Sequence, residues 1–170
     1  MTIPNPEHLL EQAEKLIQTR PRQVDLRRAI SNVYYALFHA IMTEAADVVV
    51  GASSRATEMY GLVYRSVDHR RLRELCEAIQ RSSVRDRYKR FEPSGGFTAL
   101  IKHFAANILE FQRKRHAADY DPLAHFTKTE TKLDIAGGKA ALAQFRAVDG
   151  EERQIFVSLL LFSPRETGRS

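Results

Sequence analysis

The 170-residue sequence predicts an all-α protein, an up-and-down bundle of about five to six helices. Three observations predict it. Apolar residues recur at steps of three and four through most of the chain, which is the period of one helix face. No stretch alternates apolar and polar residues as a half-buried strand would. The strongest breakers, at Pro21, Gly51, Pro93-Ser94-Gly95-Gly96, Pro122 and Asp149-Gly150, divide the chain into segments of helical length. With 44% hydrophobic and 28% charged residues, the chain has the composition of a packed globular protein and can bury a core without disulfides or metals.

The first helix is expected over 4–20, with Leu9, Leu10, Ala13, Leu16 and Ile17 on one face, Asn5 as cap, Pro6 in the first turn and Pro21 as stop. The second runs over about 24–49. Leu26, Ile30, Val33, Leu37 and Ile41 form one stripe, which Ala29, Tyr34, Phe38, Met42 and Ala45 widen, so this helix is expected at the centre. After the loop at Gly51-Ala52-Ser53-Ser54, Met59, Leu62, Val63 and Val67 mark a third face. The phase slips at Asp68-His69, where Asp68 is placed to cap a new helix carrying Leu72, Leu75, Cys76 and Ile79. A long helix follows the loop at 91–96, with Phe97, Leu100, Ile101, Phe104, Ala105, Ile108 and Phe111, and ends before Pro122. Another spans about 129–148, with Gly137-Gly138 as an expected kink. The expected organisation is a bundle over 1–150, a short apolar segment over 151–162 that packs on the bundle or at an interface, and a frayed tail over 163–170.

Cys76 is the only cysteine, so no internal disulfide is possible. The N-terminus lacks the basic flank and apolar stretch of a secretory signal, and the longest apolar run, 155–162, is far short of the roughly 20 residues of a membrane helix. A cytoplasmic protein without membrane association is expected. The net charge of +5 comes from 26 basic and 21 acidic residues, with arginine grouped at Arg20-Pro21-Arg22, Arg27-Arg28, His69-Arg70-Arg71 and Arg113-Lys114-Arg115. Such groups suit a phosphate-bearing partner, because guanidinium donates two bonds in one plane; they also suit solvated helix faces.

The segment from Arg113 to Tyr120 carries the strongest chemical pattern. Four-residue spacing puts Arg115 and Asp119 on one face, and likewise His116 and Tyr120. Arg115 continues the line of Phe97, Ile101, Phe104, Ile108 and Phe111, so a charge extends the core-facing stripe. One account is a structural salt bridge. The other is an arginine that holds phosphate, with His116 or Tyr120 placed for proton transfer. A second polar stripe, Arg28, Asn32, Tyr35 and His39, runs beside the apolar face of the central helix, where it either meets a ligand or the Arg115 end of another helix, or forms a hydrogen-bonded seam in the bundle. Arg65 with Asp68-His69 reads as a capping or packing group. No zinc spacing, phosphate loop or nucleophile elbow is present, so no metal and no cofactor is expected.

Two segments carry a family resemblance. Residues 26–40, Leu-Arg-Arg-Ala-Ile-Ser-Asn-Val-Tyr-Tyr-Ala-Leu-Phe-His-Ala, resemble the second helix of the HEPN (higher eukaryotes and prokaryotes nucleotide-binding) superfamily. Residues 115–120, Arg-His-Ala-Ala-Asp-Tyr, resemble the end of its late helix in one bacterial subgroup. With the helix order, the resemblance covers roughly residues 5–148. It implies a helical bundle that forms a homodimer with an arginine- and histidine-lined cleft. It implies either metal-independent RNA cleavage in a toxin or antiphage-defence role, or binding of nucleotide, RNA or a protein partner encoded nearby. On this resemblance Arg115, His116, Asp119 and Tyr120 are the catalytic candidates, and Arg28, Asn32, Tyr35 and Arg113 the phosphate-binding ones. The sequence departs from the family's active pattern, an arginine followed after four to six residues by histidine: none of the six histidines satisfies it, and Tyr120 occupies that place after Arg115. A tyrosine hydroxyl ionises near about pH 10 and is a poor general base near neutrality.

Overall fold

A computed structural model describes residues 3–81, 86–162 and 164, with the side chains of residues 86 and 87 left aside. The described residues form helices and connecting turns, with no strand among them. The helices are α1 (Pro6–Leu16), α2 (Gln23–Val50), α3 (Glu58–Tyr64), α4 (His69–Gln80), the single turn α5 (Asp86–Lys89), α6 (Ala99–Tyr120), α7 (Lys128–Ala147) and α8 (Gly150–Leu161), with a 3-10 turn at Ala52–Ser54. The all-α bundle is as expected, with somewhat more helical segments than the five to six read from the sequence.

α2 is the axis of the molecule. Half of its 28 residues are buried, and α1, α3, α6, α7 and α8 all pack against it. By length and composition this helix could also cross a membrane, but its apolar character is accounted for by the helices around it. A second centre lies between α6, α7 and α8. There the Phe104 and Phe145 rings stack at 4.4 Å, and Phe156 meets both edge-on at 6.2 Å. Phe97, Phe104 and Phe111 are all buried, as their spacing predicts. Cys76 is free and buried, and burial pushes its thiol up.

Helix boundaries follow local chemistry. Asn5 caps α1 by accepting from the Glu7 amide, Asp68 caps α4 by accepting from Arg70 and Arg71, and Thr98 and Thr127 cap α6 and α7. α6 stops at Tyr120, before Pro122, as expected. α1 ends at Leu16, four residues short of the expected Arg20. The chain turns at 17–20, where Ile17 is buried and the Lys128 ammonium takes the Gln18 and Thr19 carbonyls.

Two expectations are corrected. On α3 the buried face is Tyr60, Gly61 and Tyr64, whereas Met59 and Leu62 are each 58% exposed. In so short a helix the two tyrosines decide the phase, because each buries a ring and finds a hydroxyl partner: Tyr60 donates to Asp47 at 2.8 Å, and Tyr64 pairs with His39. On α7 the helix is continuous through Gly137-Gly138. Gly138 serves close packing, since a Cβ there would collide with Val33 of α2. The apolar segment expected over 151–162 is helix α8, which packs on α2 and α4. Its Glu152 is buried and accepts from the Thr98 amide and hydroxyl at 2.7 and 2.8 Å, closing the start of α6. The frayed tail expected over 163–170 lies outside the described residues apart from Pro164.

Candidate functional site

The last turns of α6 lie against the middle of α2, and this contact assembles the polar groups. Arg115 Nη2 donates to the Tyr35 hydroxyl at 2.8 Å and to the Tyr120 hydroxyl at 3.4 Å. Its charged plane lies over both rings, 5.4 Å from the centroid of Tyr35 and 5.3 Å from that of Tyr120. Nε sits 2.7 Å from Asp119 Oδ2, but its N–H does not point at that oxygen, so the contact is ionic without a directed hydrogen bond. The second Asp119 oxygen accepts from Ser31 Oγ at 2.5 Å. The Arg115 side chain is 17% exposed, and its Nη1 has no partner among the described residues and is not buried. A guanidinium this enclosed is stable only because Asp119 and the two phenols compensate its lost hydration.

Beside Tyr35 runs a seam of rings. His69, the first residue of α4, stacks on Phe38 at 4.0 Å and pairs through Nδ1 with the Tyr34 hydroxyl at 2.7 Å. His39 pairs through Nδ1 with the Tyr64 hydroxyl at 2.5 Å and stacks near that ring at 6.0 Å. Burial holds both imidazoles below the usual histidine range. The neighbouring charge of Arg115 adds to the effect at His69, and His69 adds to it at His39. Burial likewise raises the Tyr64 phenol to about 12. The two pairs hold α3 and α4 onto α2.

Outside this seam, a groove of about 650 Å³ lies between α4 and α6, lined by Arg73, Glu77, Gln112, Arg113, Arg115 and His116. Arg113 pairs with Glu110 at 2.8 Å, and Arg73 with Glu77 at 3.5 Å, both at the surface. His116 is exposed, its ring 5.1 Å from that of Tyr120. Among the described residues no group of three or more histidine, cysteine or acidic side chains is arranged to hold a metal ion.

Of the residues singled out from the sequence, Arg115, Asp119, Tyr120 and Tyr35 come together in one cluster, with His116 and Arg113 at its outer edge. Asn32 faces away. It is buried and donates to Gln12 of α1 at 3.0 Å, a packing contact. Arg28 is exposed and makes no side-chain hydrogen bond or ion pair among the described residues. Sequence reasoning missed three members. Ser31 sits one turn before Tyr35, between the polar stripe and the widened apolar face, and the spacing of Tyr34 places it in the apolar face. Arg27, counted only as part of a basic pair, donates to the carbonyls of Ala118, Asp121 and Ala124 and so secures the end of α6. Buried tyrosine and serine near a charged residue are the only signal that could have found the first two. Comparison with protein-family models, with curated proteins and with solved structures returns no match.

Proposed function

We propose that this chain is a HEPN-like protein that binds RNA or a nucleotide, with Arg115 as the residue that holds phosphate. The observation that carries this reading is the state of Arg115. It is oriented by Tyr35, Tyr120 and Asp119, its Nη1 has no partner among the described residues, and it opens on a groove with Arg113, Arg73 and His116. A charge fixed in that way, with donors to spare, is ready for an anion at little further ordering cost. The positive balance of the chain and the resemblance of its second and late helices support the same ligand class. The activity that belongs to this reading is metal-independent RNA cleavage in a toxin or antiphage-defence setting, in a cytoplasmic homodimer.

The test is binding of a labelled single-stranded RNA at low and moderate salt, together with cleavage of total RNA and tRNA in a chelator. Binding is expected to weaken steeply with salt. Arg115→Ala should weaken it about tenfold or more, the effect of losing a charged hydrogen bond to phosphate, with a much smaller change in Tm. Absence of salt-sensitive binding to RNA and nucleotides would end the proposal. So would a loss of folding in Arg115→Ala that matches the loss of binding.

One observation favours a second reading, a catalytically inactive helical dimer or partner subunit that acts as an interaction module. Apolar side chains stand out at the surface: Met59 and Leu62 on α3, and Leu123 at 89% exposure beside the end of α6. A strictly monomeric protein in sedimentation would count against it.

A further inference from the structure

The fold brings an imidazole from α4 to the same ring, Tyr35, that the Arg115 guanidinium covers. His69 lies far from Arg115 in sequence and meets Tyr35 from the start of α4. Its ring is held on several sides: Phe38 stacks on one face, Tyr35 approaches with ring centroids 6.4 Å apart, and Tyr34 engages Nδ1. Its own backbone carbonyl accepts from Gln112 Nε2 at 3.0 Å, and Gln112 sits one turn before Arg115 on α6. This ring is therefore positioned by the same two helices that position Arg115.

The direction of the Tyr34 hydrogen bond settles what His69 presents. Where the Tyr34 hydroxyl donates to His69 Nδ1, a neutral imidazole carries its own proton on Nε2. Nε2 has no hydrogen-bond partner among the described residues and is not one of the buried polar atoms left unpaired, so solvent reaches it. Arg115 Nη1 is in the same condition. Both groups border Tyr35, and the nearby carboxylates are engaged: Asp119 by Ser31 and Arg115, Asp68 by Arg71 and the start of α4. Two donors without partners among the described residues, on groups that border one ring, suit an anion.

We propose that His69 and Arg115 hold one phosphate group of the ligand together, across Tyr35, with His69 donating from Nε2. This assigns His69, rather than His116 or Tyr120, as the second phosphate-holding residue, and it rests on the phosphate-binding reading of Arg115. The shared chemistry is a phosphate monoester or diester, supplied either by a mononucleotide or by an RNA backbone.

The experiment uses the full chain with 15N-labelled histidine. In the free protein, His69 is expected as the Nε2–H tautomer. Titration with adenosine 5′-monophosphate or with a twelve-nucleotide single-stranded RNA should move the His69 Nε2 resonance and raise the pH at which that ring titrates. Whichever ligand does so identifies the source of the phosphate. His69→Phe, which keeps a ring on Phe38 but has no donor, should weaken binding of that ligand about tenfold. His69→Gln, whose amide can place a donor near the same position, should stay within about threefold of wild type. An Nδ1–H tautomer, or unchanged binding in His69→Phe alongside lost binding in Arg115→Ala, overturns the role of His69 and leaves that of Arg115 standing. Failure of the wild type to bind either ligand overturns both. The tautomer and the titration are read on the wild type, so the result does not depend on the variants folding.

Discussion

His39 and His69 are the residues whose protonation the fold opposes. His39 faces Tyr64 and His69, while His69 faces Tyr34, Phe38, Tyr35 and the Arg115 charge, with Asp68 acting in the opposite direction. Both titrate below the unfolded value of about 6.5, so the unfolded chain binds protons more readily than the folded one as pH falls. Their contribution to stability is therefore complete above about pH 6.5 and is lost as pH falls from there through the lower folded values. The urea midpoint is expected to drop between pH 7.5 and 5.5, and a His39→Gln/His69→Gln variant should show a flatter profile over that interval. A profile identical to wild type would show that other groups carry the pH dependence. The same scale explains why Arg115 tolerates enclosure: its partners are one carboxylate and two phenols, so removing any one leaves a charge short of compensation.

At the scale of elements, the end of α6 matters most, because Asp119 and Tyr120 lie in its last turn. The last carbonyls of a helix have no partner within it. Here Arg27 reaches across from α2 to three of the carbonyls around that end and lies near the Phe126 ring. Gln23, one turn earlier, exchanges two hydrogen bonds with the Phe126 backbone, at 2.7 and 3.1 Å. α2 thus fixes both α6 and the loop into α7. Arg27→Ala is expected to cost about 1.5–3 kcal/mol in urea unfolding, the range for hydrogen bonds made by a charged group. Arg27→Lys should recover only part of this, since one ammonium cannot reproduce the planar fork. An unchanged midpoint in Arg27→Ala would remove this role.

At the scale of the whole molecule, α2 must be approached closely by several helices at once. Gly138 is where α7 comes nearest, with Val33 and Leu10 occupying the space a side chain would need. Gly137, its neighbour, has only the tip of Phe111 at 3.4 Å. Replacing a helical glycine by alanine ordinarily gains about 1 kcal/mol. Gly137→Ala should follow that rule to within a few tenths. Gly138→Ala should instead lose about 1–3 kcal/mol to overpacking. Equal effects at the two positions in thermal unfolding would show that α7 does not press on α2 at Val33.

Local periodicity determined a good deal of this protein. The long helices, the Asn5 and Asp68 caps, the stop before Pro122, the central place of α2 and the burial of Phe97, Phe104 and Phe111 depend on residues within a few positions of one another. The Arg115–Asp119 pair was legible for the same reason, being four apart on one helix. Tertiary structure alone decided which face α3 buries, because the hydroxyl partners of Tyr60 and Tyr64 come from α2. It also decided that Asn32 serves packing against α1 while Tyr35, three residues on, meets Arg115. And it alone brought His69 to the Tyr35 side of the cluster. These contacts join residues from 13 to 80 positions apart on different helices, and a hydrogen bond between such residues leaves no spacing in the sequence, since its geometry is set by how whole helices pack.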